Sequence, residues 1–328
     1  MSLILKKKPS NKGQSPLKTG EGIEKAGHSS PYKLLIDKIT ILIDLPSQTA
    51  IETITSDALD ILPDHPKFKS AKAKQGYRLT GVISVIATKK RPVHIQIAPK
   101  TEGKPFMRLE FNPAKIGAAG LLELHEVLSQ FLPGGVGYLI AHGRLSRLDI
   151  AVDFAVDNSR LAMDDLIFFP HDGAPFVREY GMGGHLQTTM LGKGTGNQWK
   201  LYRKDKEQKV KKGRIIPATI RIERVLRGQK MKLASLPAME NVFAPTTFSH
   251  TLPPRPDWET ESRWTLFCDS VKVRGVTNAL LLMPGARRVK YRKHIKDCPA
   301  PWWNPTAMWE QWQPLLADLK LVDAAAYH

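Results

Sequence analysis

The 328-residue chain predicts an α+β protein. Two repeated β-α-β-β-β units form a joint antiparallel sheet with helices on one face, and a C-terminal helical region follows. Three observations predict this. Apolar and polar residues alternate strictly in several segments, most clearly in "LSRLDIAVDF" at 145–154, as a strand with one buried face requires. The same succession of patterns occurs twice, each time closing on an Arg-x-Glu strand. Composition then shifts near residue 230 toward proline and tryptophan, and six of the seven tryptophans lie beyond that point.

Four segments are expected in order. Residues 1–30 form a Lys/Gly/Ser-rich basic arm without the composition of a packed core. Its short apolar run precedes its lysines, the reverse of a signal peptide. Residues 31–135 hold the first unit: the strand "DKITILIDLP", the helix "SQTAIETITSDALDIL", the strands "YRLTGVISVIA" and "PVHIQIAP", and "MRLEFN". The helix "AGLLELHEVLSQFL" then bridges to the second unit. Residues 136–235 repeat the order with "SRLDIAVDFA", a helix "NSRLAMDDLIFF", "HLQTTMLGK", "NQWKLYRKD" and "IRIERV". Residues 236–328 begin as a Pro-rich linker and continue as helices broken at Gly275, Gly285 and Pro301. Overlaying the two lead strands sets Lys38 on Arg147, Thr40 on Asp149 and Asp44 on Asp153. Glu110 matches Glu223, and Ala98 falls near the place of Tyr202.

A net charge of +18 points to a polyanionic partner, nucleic acid first. No run of about 18 apolar residues exists, so no membrane span is expected. Two distant cysteines, Cys268 and Cys298, argue against a disulfide framework or a zinc knuckle and fit a reducing cytoplasm. The ten histidines form no His-x-His pair. Neither "GMGG" nor "GKGTG" leads into the Lys-Ser/Thr of a nucleotide-binding loop, so the glycines are read as a hairpin turn.

Strand parity gathers a polar cluster. With Ile150 and Val152 turned to the helices, Asp149 and Asp153 face the other way. Arg221 and Glu223 do the same opposite Ile220 and Ile222, and Lys200, Tyr202 and Lys204 opposite Trp199 and Leu201. Oxygen ligands from two or three acids suit Mg²⁺ or Mn²⁺ bridging to a phosphate. A nearby tyrosine could attack phosphorus while a lysine steadies the developing charge. The plainer alternative is that the acids only pair with Arg147 and Arg221.

"SRLDIAVDF", the glycine-rich "GMGGHLQTTMLGKGTGNQWKLYRKDKEQ" and "TIRIERVLRG" together resemble the core of rolling-circle replication initiators of small plasmids and filamentous phages. The resemblance spans about residues 140–230, and less closely the earlier half from about 34. It implies origin recognition, nicking of one strand through a tyrosine, and a divalent metal with Asp149 and Glu223 as ligands supported by Asp153. It also implies origin DNA as partner, single- and double-stranded, with a host helicase and polymerase; a homodimer is left open. The chain departs from the family where a tyrosine would precede the glycine: "MLG" places Met190 there. The nucleophile is then Tyr202, or Tyr180 in the flexible "VREYGMGG".

Two basic segments complete the reading. "RKDKEQKVKKGR" (203–214) is either a solvated hairpin tip or a phosphate-contacting loop. "RRVKYRKHIK" (287–296) carries Arg287, Arg288, Lys290, Arg292 and Lys293 as a DNA-contacting helix or a solvated face, and Arg147 and Arg221 on the sheet are counted with them as DNA contacts. Most of the tryptophans are expected as core anchors. Two other functions stay open: an origin-binding initiator or regulator that does not nick, and an RNA-binding protein. The second expects aromatics on the open face, where acids stand instead.

Overall fold

Four isoleucines decide where the first strand lies. Ile36, Ile39, Ile41 and Ile43 are fully buried, and the strand β1 that carries them runs from Tyr32 to Ile43, five residues earlier than its alternation alone suggests. Ile36 and Ile39 share a face although they lie three positions apart. A bulge between Ile36 and Lys38 takes up the extra residue, which leaves both Asp37 and Lys38 off the core face. The structure is a computed structural model describing residues 32–71, 76–86, 91–155, 167–170, 177–182, 185–249, 252–299 and 303–327. The basic arm at 1–30 lies outside the described residues.

After β1 come α1 (Gln48–Ile61), β2 (Phe68–Ser70), β3 (Tyr77–Val85), β4 (Arg91–Pro99) and β5 (Met107–Phe111). Ser47 caps α1 by accepting from the amide of Ala50 at 3.2 Å. The bridge consists of two helices, α2 (Pro113–Leu128) and α3 (Gly135–His142), where the sequence suggested one. The second unit holds β6 (Arg144–Ala155), β7 (Ile167–Pro170), β8 (Val177–Met182), β9 (His185–Leu191), β10 (Gln198–Arg203), α4 (Lys204–Lys212) and β11 (Thr219–Arg227). β12 (Thr246–Ser249) follows, then α5 (Glu261–Leu281), α6 (Gly285–Asp297), α7 (Pro305–Trp309) and α8 (Trp312–Leu319).

Ten strands form one antiparallel sheet in the order β2-β3-β4-β5-β1-β6-β11-β10-β9-β8. The two lead strands therefore meet at the centre and the later strands of each unit fan outward. This is the duplication read from the sequence, folded about a pseudo-two-fold axis. Its register corrects the overlay of the lead strands by two residues. Glu110 stands opposite Thr40 and His94, whereas Glu223 stands opposite Ala151 and Lys200. Thr40 thus corresponds to Ala151, and Lys38 takes the place of Asp149, which it directly faces across β1 and β6. The axis passes between those two residues. Gln96, opposite Arg108, holds the place that Tyr202 holds opposite Arg221, so Gln96 and not Ala98 is its counterpart. A slip of two leaves every side chain on its own face, which is why alternation alone could not detect it.

The apolar face is covered as expected. Ile116, Leu121, Leu124 and Val127 of α2 join Ile41, Leu109, Ile150 and Val152 in one core. The C-terminal segment enters the same core. The Trp312 indole donates to the carbonyl of Leu236 at 2.9 Å, and that of Trp303 to Thr246 at 3.1 Å. Phe243 and Phe248, in the stretch read as a linker, are fully buried there too. α5 and α6 share a second, smaller core of Trp264, Phe267, Tyr291 and Ile295. Among the described residues Trp199, Trp264, Trp303 and Trp312 are buried anchors, Trp309 is half-buried and Trp258 is exposed. α5 breaks at Gly275, where φ is 74°.

Three expectations are corrected. Of the helix expected over 158–169, residues 158–166 lie outside the described residues, and 167–169 belong to β7, paired with β12. Residues 204–212 are helix, not a hairpin tip. Lys204 pairs with Glu207 at 2.6 Å and Lys211 with the same carboxylate at 3.0 Å, the three- and four-residue spacings a helix turn brings together. Tyr180 lies in the edge strand β8, opposite Thr188, and not in a flexible stretch.

Candidate active site at the centre of the sheet

Asp149, Glu223 and Tyr202 come together as parity demands, but under cover. α4 folds back beside β11 and closes one side of a cavity of about 660 Å³. Lys38, Arg147, Asp149, Met190, Lys200, Tyr202, Arg203 and Glu223 line it from the strands, Asp37 from the bulge, and Lys206, Glu207 and Lys211 from α4. Six cations face four carboxylates, so the wall carries net positive charge.

The acids are all paired with cations. Arg147 clasps Asp149 with two hydrogen bonds of 2.8 and 2.6 Å, and the Asp149 side chain is 2% exposed. Lys200 donates to Oε1 of Glu223 at 2.5 Å, and Tyr202 donates to Oε2 at 3.4 Å. Arg221 forks onto Asp153 at 2.6 and 2.7 Å and reaches Asp37 at 3.0 Å. Asn112 holds Asp37 from the other side at 3.1 Å while capping α2 through the amide of Lys115. Asp153 and Arg221 thus form a buried strut beside the cavity and do not line it. Pairing of acids with arginines across the sheet, the plainer expectation, accounts for Asp153 but not for Glu223.

Burial raises the pKa of Glu223 from its ordinary value, with Lys200 working against it and the charges of Asp149 and Asp37 adding to it. Burial also raises that of Tyr202, and the Glu223 carboxylate pushes the same way. Burial disfavours the Arg221 charge, but its bonds and proximity to Asp153 prevail and raise its pKa. Lys204 opens α4 instead of extending β10. Its ammonium lies 5.5 Å from the centre of the Tyr202 ring and is bonded to Glu207.

Among the described residues no group of three or more His, Cys, Asp or Glu is placed to hold a metal ion. Of the three acids expected as ligands, Asp149 and Glu223 share the cavity. Two carboxylates are what Mg²⁺ commonly takes from a protein when substrate phosphate and water supply the rest. Each of these two is already paired with a cation, Asp149 with Arg147 and Glu223 with Lys200, so an ion there would have to displace both; Asp153 lies outside the cavity. Lys200 and Asp37 are the site residues that the sequence argument did not single out. Parity did place Lys200 on the right face, whereas no pattern announced the bulge at Asp37.

The other basic candidates lie on α6, which Tyr291 and Ile295 anchor. Tyr291 donates to the buried Glu259 at 2.8 Å, and Arg287 reaches the same carboxylate at 3.2 Å. Arg288 donates to the carbonyls of Leu281 and Met283. Lys290, Arg292 and Lys293 are exposed. No helix among the described residues is long and apolar enough to cross a membrane.

No protein-family model and no curated protein matches the chain. Among solved structures it is similar to the rolling circle replication initiator protein from Geobacillus stearothermophilus. The identity is 14% and the TM-score 0.42, over 75% of this chain and 98% of that one.

Proposed function

We propose that the chain is a DNA replication initiator of a plasmid or phage, which binds its origin and nicks one strand through Tyr202. The observation that carries this is the Tyr202–Glu223–Lys200 array in a cation-lined cavity of a strongly basic protein. It has the layout of an activated nucleophile: a hydroxyl bonded to a base, and the base held by a third group. A phosphodiester is drawn in by the excess of cations. The Tyr202 oxygen attacks phosphorus, its proton passes to Glu223, and the bond from phosphorus to the 3′ oxygen breaks. The 5′ end stays on the tyrosine, and the 3′ oxygen leaves as a hydroxyl after taking a proton from solvent. The raised pKa of Glu223 suits a general base. Lys204, beside the tyrosine ring, steadies the charge on the phosphate.

Asp149 and Glu223 are the side chains that would hold Mg²⁺ or Mn²⁺, which would polarise the phosphodiester when bound. The exposed cations of α6 suit contact with duplex phosphates. The reading expects a cytoplasmic protein served by a host helicase and polymerase, with a homodimer left open.

A second reading, origin binding without nicking, is favoured by Met190, which stands opposite Lys200 where the family tyrosine is expected. Supercoiled plasmid bearing the protein's own origin, incubated with Mn²⁺ or with chelator, separates the two. Nicked circles from the wild type, absent with Tyr202→Phe and Glu223→Gln, support the first. Tight binding without nicking selects the second. Nicking by Tyr202→Phe that disappears with Tyr180→Phe moves the nucleophile to β8.

A further inference from the structure

We propose that the first unit's copy of the site is a non-cutting phosphate station, which holds the backbone of the same DNA strand that the second unit cuts; this rests on the reading above. The pseudo-two-fold axis makes the comparison residue by residue. Where the second copy has Tyr202, Lys200 and Asp149, the first has Gln96, His94 and Lys38. The nucleophile is gone, and an acid is replaced by a base. Glu110 remains, but two cations hold it, Lys38 at 2.9 Å and Arg108 at 2.6 Å, which leaves the group one charge positive. In the second copy Glu223 meets the single cation Lys200, and Asp149 meets Arg147, so these four charges cancel.

Exposure differs in the same sense. The side chains of Glu223 and Lys200 are 4% and 18% exposed, those of Arg108 and Lys38 34% and 35%, and His94 is exposed. A positive, hydrated row with amide and imidazole donors beside it suits phosphate oxygens, not chemistry that needs water excluded. The two copies are continuous. Lys38 also lines the cavity, and Arg147, opposite Thr40, lies within electrostatic reach of both Glu110 and Glu223. From β5 to β11 is three strand spacings, about 14 Å, a span of a few nucleotides.

The test is binding of a labelled oligothymidine by fluorescence anisotropy across a salt series, with wild type, Gln96→Glu and Arg108→Gln. Gln96 already accepts from Arg108 at 3.2 Å, so a glutamate there keeps the bond and cancels the charge without emptying the site. Loss of one phosphate contact should weaken binding about fivefold at 0.1 M salt and flatten the slope of log affinity against log salt by about 0.7. Both variants should show it. Wild-type affinity and slope in Gln96→Glu would overturn the phosphate station while leaving the initiator reading intact. No binding by the wild type would overturn both.

Discussion

Truncating Glu223 to alanine should strand an ammonium. In the folded protein Lys200 sits 2.5 Å from this carboxylate, the Glu223 side chain is 4% exposed, and Asp149 is already held by Arg147. Removing one partner of a buried pair costs roughly 3–5 kcal/mol. Lys200 retains 18% exposure and can regain some water, so the lower end, about 3 kcal/mol, applies to Glu223→Ala. The Tyr202 bond is long at 3.4 Å and adds little. Glu223→Gln keeps an acceptor for Lys200 and should cost less, about 1–2 kcal/mol. The double variant Lys200→Met/Glu223→Leu removes both charges and should recover most of the loss, since a matched apolar pair commonly equals a buried ion pair. Urea unfolding followed by circular dichroism reads all three. A Glu223→Ala cost below about 0.5 kcal/mol, or a double variant no better than the single, would refute the claim that these charges support each other in a largely buried site.

Two further outcomes follow from local geometry. Burial pushes the Glu110 carboxyl up, but the Lys38 bond, the charges of Lys38 and Arg108, and the Arg108 bond together hold it down to about 2, against an ordinary 4.5. A depressed folded-state pKa means stability that is complete above the unfolded value and lost as pH falls toward 2. The urea midpoint should therefore drop between about pH 5 and pH 2, and Glu110→Gln should flatten that drop. Gly192, at the turn between β9 and β10, has φ of 94°, and a Cβ there would stand 2.5 Å from the carbonyl oxygen of Asn197. Gly192→Ala should cost about 1–3 kcal/mol and lower the thermal midpoint, whereas Gly196→Ala, with nothing closer than 4.0 Å, should not.

Much of this architecture was legible because a period of two is hard to mistake. The alternation of Leu148, Ile150, Val152 and Phe154 assigned Asp149 and Asp153 to one face, and the repeat of Arg108-x-Glu110 as Arg221-x-Glu223 announced the duplication. The same period hid the register, since a shift of two residues changes no face; only the pairing of Glu223 with Ala151 set Lys38 against Asp149. The cover over the site was missed because 204–212 carries no buried residue and no apolar stripe. Its signal was the spacing of Lys204, Glu207 and Lys211, which a turn of helix satisfies. Asp37 reached the site through a bulge that follows from packing Ile36 and Ile39 on one face, a demand of the folded core and not of local sequence. Parity extended one residue too far at Lys204, where β10 gives way to α4.

The central claim is that Tyr202 becomes covalently attached to DNA. The most direct measurement is to incubate the protein with Mn²⁺ and a suicide oligonucleotide from its own origin, digest the product with a protease, and identify the nucleotide-bearing peptide by mass spectrometry. The account predicts a phosphodiester adduct on the peptide containing Tyr202, lost in Tyr202→Phe. An adduct on Tyr180 instead, or none while the oligonucleotide binds tightly, would contradict it.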